Sequence, residues 1–116
     1  MEPRREVLTG VLYYDKVLSM NWDSKKTDEL CVAFLSLRSK REMKNFLRDL
    51  MTKEEIIECA KRWETAQLLD EKMSYEKIQK KTGLSSTTVA RISLWLQTGM
   101  GGYRLALNRL HHTHPS

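Results

Sequence analysis

The sequence predicts an all-α protein, on three observations. Proline occurs only at Pro3 and Pro115, so nothing inside the chain enforces a proline break. Apolar residues recur at three- and four-residue spacings along most of the length instead of alternating. Two Ser/Thr-x-x-Glu boxes, Ser39 with Glu42 and Thr52 with Glu55, stand directly before such apolar runs, as helix starts do.

Taken in order, Val7, Val11, Tyr14 and Leu18 predict an amphipathic helix over residues 4–20, with its register weakest at Gly10. A polar stretch, residues 21–26, precedes Leu30, Phe34 and Leu37, which predict a second helix over about residues 27–37. The Ser39 box opens a helix carrying Met43, Phe46, Leu47 and Leu50. The Thr52 box opens another carrying Ile56, Cys59, Ala60 and Trp63, which should run through Leu68 and Leu69 and stop near Lys72.

From Met73 the residues read MSYEKIQKKTGLSSTTVARISLWLQTG, the spacing of a helix-turn-helix. Ser74 can cap a short helix over residues 75–81 with Ile78 facing inward. Gly83 supplies the left-handed residue of a tight corner and Leu84 plugs the angle. Ser85 then caps a second helix from Ser86, on which Val89, Ile92 and Leu96 share one inward face. Gln79 departs from the usual motif, which has Ala or Gly where the two helices approach.

The chain has 116 residues and a mass of 13.6 kDa, the size of one small domain. With 41% hydrophobic and 30% charged residues it is too apolar for disorder and too polar for a membrane protein. Its most hydrophobic N-terminal stretch, residues 7–20, is interrupted by Tyr13, Tyr14, Asp15 and Lys16, too soon to cross a bilayer. No small-residue cleavage site follows it, so a secretory signal is not expected. Cys31 and Cys59 lack metal-ligand spacing and are read as core thiols. Short helices bury little area apiece. Met20, Trp22, Phe34, Phe46, Trp63 and Trp95 are more large side chains than a thin helical array can hide, so a dimer with a shared N-terminal core is expected, against a compact monomeric bundle.

Charge points to a partner. Residues 72–116 hold seven Lys or Arg against the single acid Glu76, a net of +6; subtracting this from the whole-chain +5 leaves −1 for residues 1–71. The basic excess therefore coincides with the helix-turn-helix and suggests an anionic ligand, the alternative being a solubilising surface. On the second helix Ser86, Thr87, Thr88, Ala90 and Arg91 face outward, with Leu94 further along. Hydroxyls and a methyl at a helix N-terminus let the backbone enter a major groove, and Arg91 can reach guanine or phosphate, so these five are expected to contact bases. Tyr75, Lys77, Gln79, Lys80, Lys81 and Ser85 are expected along the phosphates. A packing corner in a purely structural bundle is the alternative.

Enzyme chemistry is not expected. No Ser/His/Asp constellation is present, and His111, His112 and His114 crowd the C-terminus without a second shell. Glu54, Glu55 and Glu58 suit the start of a helix better than an acid/base pair. No catalytic residue, cofactor or metal is assigned. A helical protein-protein adaptor without nucleic-acid binding remains the other reading.

Residues 52–96 resemble the Trp repressor superfamily, through Met73-Ser74, Gly83, Thr88, Arg91 and Leu96. Gly99-Met100-Gly101-Gly102-Tyr103, followed by Arg104-Leu105-Ala106-Leu107, is similar to the Gly-x-Gly-Gly-Tyr signature of its YerC/YecD branch, and Ala60-Lys61-Arg62-Trp63-Glu64 matches the preceding basic-aromatic helix. The resemblance covers about residues 27–110. Residues 1–20 fall outside it, as a lineage extension or a start placed upstream of Met20.

The resemblance implies an all-α multi-helix array forming an intertwined homodimer that binds double-stranded DNA as a cytoplasmic, nucleoid-associated transcriptional regulator, with no membrane partner. It divides the chain into a helical N-terminal extension (residues 1–23), a Trp-repressor-like domain (residues 24–110, with the helix-turn-helix at 74–97) and a disordered tail (residues 111–116). Tryptophan is not expected as corepressor. Ile92 stands where the repressor has the glycine that admits the indole, and Trp95 replaces the serine that receives the amino group. Arg62 and Lys61 compete for the place of the second ligand-binding arginine. The residues do not identify an effector.

Overall fold

The computed structural model describes residues 23–113, among which there are six α-helices and no strand. These are α1 (Lys25–Leu35), α2 (Lys40–Leu50), α3 (Lys53–Asp70), α4 (Tyr75–Thr82), α5 (Ser86–Thr98) and α6 (Gly102–Thr113). The helix expected over residues 4–20, with Met20 and Trp22, lies outside the described residues. The chain divides between Thr52 and Lys53 into two compact units.

In the N-terminal unit local chemistry sets the helix ends. Ser24 caps α1 by accepting from the Thr27 N–H at 3.2 Å, so the helix starts two residues before the expected Thr27. It ends at Leu35, where the Ser36 hydroxyl donates to the Ala33 carbonyl at 2.7 Å, leaving Leu37 outside. Ser39 caps α2 as expected, accepting from the Glu42 N–H at 3.1 Å. The Glu42 carboxylate reaches back to the Arg38 N–H at 2.8 Å, one residue earlier than a standard box. Phe34 and Phe46 meet edge to face with centroids 5.4 Å apart. Neither α1 nor α2 carries a buried residue.

The C-terminal unit holds the core. Ala66 and Leu68 of α3, Ile78 of α4, Leu84 of the corner and Val89 and Ile92 of α5 form one buried cluster, with Trp63, Leu69, Met73 and Tyr103 packed against it. Ile78, Val89 and Ile92 are completely excluded from solvent, each contributing about 1.5–3 kcal/mol of burial. Helix α3 stops in a Schellman motif: the Met73 N–H donates to the Leu68 carbonyl and the Lys72 N–H to that of Leu69, at 3.1 and 2.9 Å. Lys72 occupies the left-handed position, φ 68°, usually taken by glycine.

Helix α6 is joined to α3 by Arg104, whose guanidinium meets Asp70 at 2.8 Å, and by the stacking of Tyr103 on Trp63 at 6.3 Å. Gly99 makes the α5–α6 connection possible. Its N–H donates to the Trp95 carbonyl at 2.8 Å, and a Cβ there would collide with that carbonyl oxygen and lie only 3.1 Å from its carbon. Helix α6 continues through Thr113, three residues past Leu110.

Two expectations are corrected. Cys31 and Cys59 are exposed thiols, not core residues. Cys31 has no buried neighbours on α1 to join, and the buried residues of α3 (Thr65, Ala66, Leu68) all lie beyond Cys59. The same geometry leaves Ala60 exposed.

Candidate nucleic-acid interface

The corner between α4 and α5 is built from short-range bonds. Ser74 caps α4 by accepting from the Lys77 N–H at 3.3 Å, and Ser85 caps α5 by accepting from the Thr88 N–H at 3.1 Å. Gly83, at φ 79°, sends its N–H to the Gln79 carbonyl at 2.8 Å. Thr82 is a member of the corner that periodicity did not reveal. Its buried hydroxyl donates to the Ile78 carbonyl at 2.8 Å and accepts from the Leu84 N–H at 3.2 Å, fastening the end of α4 to the residue that plugs the angle. A Thr directly before the corner glycine is the sequence signal that was available.

Outside this core lies a polar surface. Ser86, Thr87 and Ala90 on the first turns of α5 are exposed, while Thr88 and Arg91 are half-buried. The Ser85 hydroxyl, itself exposed, donates to Thr88 Oγ1 at 3.0 Å, so both side chains are held within the cap. On α4, Tyr75, Lys77, Lys80 and Lys81 are exposed and Gln79 is half-buried. Lys80 and Lys81 occupy the last turn of α4, where the helix dipole favours cations.

Ile92 has no solvent exposure and belongs to the core cluster. The structure also separates the two cations that the sequence left equivalent. Arg62 Nε pairs with Glu58 Oε2 at 3.3 Å and its charge bears on Tyr103. Lys61 instead extends to the helix-turn-helix corner, its ammonium 3.8 Å from where a Cβ on Gly83 would stand. Burial pushes the Tyr103 phenol above the ordinary tyrosine value, Arg62 opposing the shift and Cys59 adding to it.

A separate cleft of about 380 Å³ opens where the end of α3 meets α5 and α6, lined by Leu69, Met73, Ser93, Leu96 and the Asp70–Arg104 pair. Among the described residues no group of three or more His, Cys, Asp or Glu is placed to hold a metal ion. No helix among them is long and apolar enough to cross a membrane.

The fold and its corner define an all-α helix-turn-helix protein. The profile of the Trp repressor protein family matches residues 25–111. The YerC protein of Bacillus subtilis (strain 168), itself uncharacterized, is 38% identical over 89 residues, covering 77% of this chain and 86% of its own. Two crystal structures share the fold with a TM-score of 0.74. One is a TrpR-like protein from Eubacterium eligens ATCC 27750, 34% identical over 77% of this chain and 92% of its own. The other, provisionally assigned as a Trp repressor from Staphylococcus aureus, is 30% identical over 80% of this chain and 96% of its own. The chain belongs to the Trp repressor family, and within it to the YerC branch.

Proposed function

We propose that the protein is a sequence-specific duplex-DNA-binding transcriptional regulator, acting as a repressor and working as a homodimer in the cytoplasm, on the nucleoid. The observation that carries this reading is the pairing of two surfaces across one corner. Short hydroxyl and methyl side chains (Ser86, Thr87, Ala90) open α5, and the exposed cations Lys77, Lys80 and Lys81 line α4. Short groups let the helix over residues 86–96 lie deep in a major groove, where Thr88 and Arg91 add polar contacts, while the lysines neutralise the flanking phosphates. Tyr75, Gln79 and Ser85 complete the backbone contacts. Family membership supports the reading.

The homodimer rests on the N-terminal unit, whose helices carry apolar faces but no buried residue. Two reading helices would then address half-sites about one helical turn apart. Light scattering should give twice 13.6 kDa at micromolar concentration; a mass of 13.6 kDa at every concentration contradicts it. In this reading the protein works without tryptophan, because Ile92 fills the ring's space and Trp95 replaces the polar group its amino end would need. Calorimetry with tryptophan, with and without DNA, should show no heat beyond dilution.

The experiment that tests the DNA reading is a binding titration on genomic fragments selected by pull-down, repeated on unrelated duplex. Lys80→Ala with Lys81→Ala should weaken both alike and flatten the salt dependence. Absence of binding to any nucleic acid at low salt overturns the reading in favour of an adaptor.

A further inference from the structure

We infer that Lys61, on α3 and outside the helix-turn-helix, is a further DNA-backbone contact, gripping a phosphate beside the Gly83 corner. The inference rests on the DNA-binding reading above and adds to it a residue that neither the motif nor the charge distribution along the chain selects. Lys61 belongs by sequence to residues 1–71, which carry a net charge of −1. The fold moves it. Its ammonium lies 3.8 Å from the position a Cβ would take on Gly83, so the one side chain reaching that face of the corner is a cation.

Two further observations define its role. Among the described residues no carboxylate lies within ion-pair distance of Lys61; the neighbouring Arg62 is taken by Glu58, and Arg104 by Asp70. With no carboxylate bound to it, the Lys61 ammonium has its donors available for an anion from outside. The corner's own donors are already engaged, the Gly83 N–H by the Gln79 carbonyl and the Leu84 N–H by Thr82 Oγ1. With those two backbone donors engaged, the lysine is the group beside Gly83 equipped to meet a phosphate. It lies on the opposite side of Gly83 in sequence from the α5 cap and extends the cationic track of Lys77, Lys80 and Lys81 from α4 onto α3. Gly83 contributes by its left-handed backbone, φ 79°, which turns the chain from α4 toward α5 beside the ammonium.

The test uses the full-length protein and a mixed-sequence duplex of about 30 base pairs, long enough for two half-sites one turn apart. Affinity is followed by fluorescence anisotropy against salt for the wild type, Lys61→Gln, Lys61→Arg and Arg62→Gln. Lys61→Gln should lower the steepness of log K against log salt by about 1 per protomer. Lys61→Arg, which keeps the charge, should restore it, separating loss of a contact from loss of fold. Arg62→Gln, one residue away but tied to Glu58, should change the slope by less than half as much. An unchanged slope in Lys61→Gln, or an equal loss in Arg62→Gln, overturns this assignment while wild-type binding leaves the DNA reading intact. If the wild type binds no duplex at low salt, both fall.

Discussion

The two units of this chain solve the same problem differently. The N-terminal unit makes well-capped helices, with Ser24 and Ser39 each closing an N-terminus, yet buries nothing on α1 or α2. Leu35 there is 83% exposed. The C-terminal unit makes helices of 8 to 18 residues and closes a core in which Ile78, Val89 and Ile92 are wholly excluded from solvent. Capping and propensity are therefore enough to place a helix, but not to give it anything to pack on. In the proposed dimer the C-terminal unit carries the readout on a framework that stands by itself, and the N-terminal unit carries the surface that pairs.

Removing core volume from one unit at a time separates their roles. Ile92→Ala should cost about 2–5 kcal/mol in urea unfolding, by an amount independent of protein concentration. Phe46→Ala, from the half-buried pair with Phe34, should cost less and act by weakening the dimer, so that its effect grows on dilution. Equal concentration dependence for the two variants would mean that the units are not divided as described.

Two glycines at the α5–α6 connection differ in what a side chain would meet. Gly99→Ala forces a Cβ against the Trp95 carbonyl and should cost about 1–3 kcal/mol while loosening α6. Gly102→Ala meets nothing within 4 Å and should stay within about 0.5 kcal/mol of the wild type. Thermal melts of both distinguish a backbone requirement from a sequence signature. Relief of strain should appear at the end of α3: Lys72→Gly suits the left-handed position and should stabilise by about 0.5–1 kcal/mol.

The smallest effect is one of pH. Because burial favours the neutral Tyr103 phenol, its contribution to stability is complete below the unfolded value of about 10 and is lost as pH rises through the higher folded value. The melting temperature should fall faster above about pH 10 in the wild type than in Tyr103→Phe. Parallel curves would show that the stack on Trp63 does not shield the hydroxyl.

The features legible in the sequence are those fixed by near neighbours along the chain. Ser74, Gly83 and Ser85 act within four residues of themselves, and periodicity on α4 and α5 found Ile78, Val89 and Ile92. Periodicity names an apolar face without saying what covers it, so it predicts burial for Cys31 and Cys59, which are exposed. The position of Lys61 was out of reach for a different reason. Its approach to Gly83 joins residues 22 apart, and only the packing of α3 against the corner reveals it. Thr82 and Lys72 were local but obscure, since a hydroxyl bridging two backbone groups and a non-glycine left-handed residue both depart from the commonest usage.

Footprinting on a selected genomic fragment shows whether a dimer presents two reading helices to the major groove. Protection of guanine N7 from methylation reports the major groove base by base. Two protected clusters with centres about one helical turn apart are expected, and both should be lost together in Ala90→Glu, which places a carboxylate on the exposed first turns of α5. A single cluster would contradict the dimer. Binding with N7 left unprotected, or protection unchanged in Ala90→Glu, would contradict the reading helix.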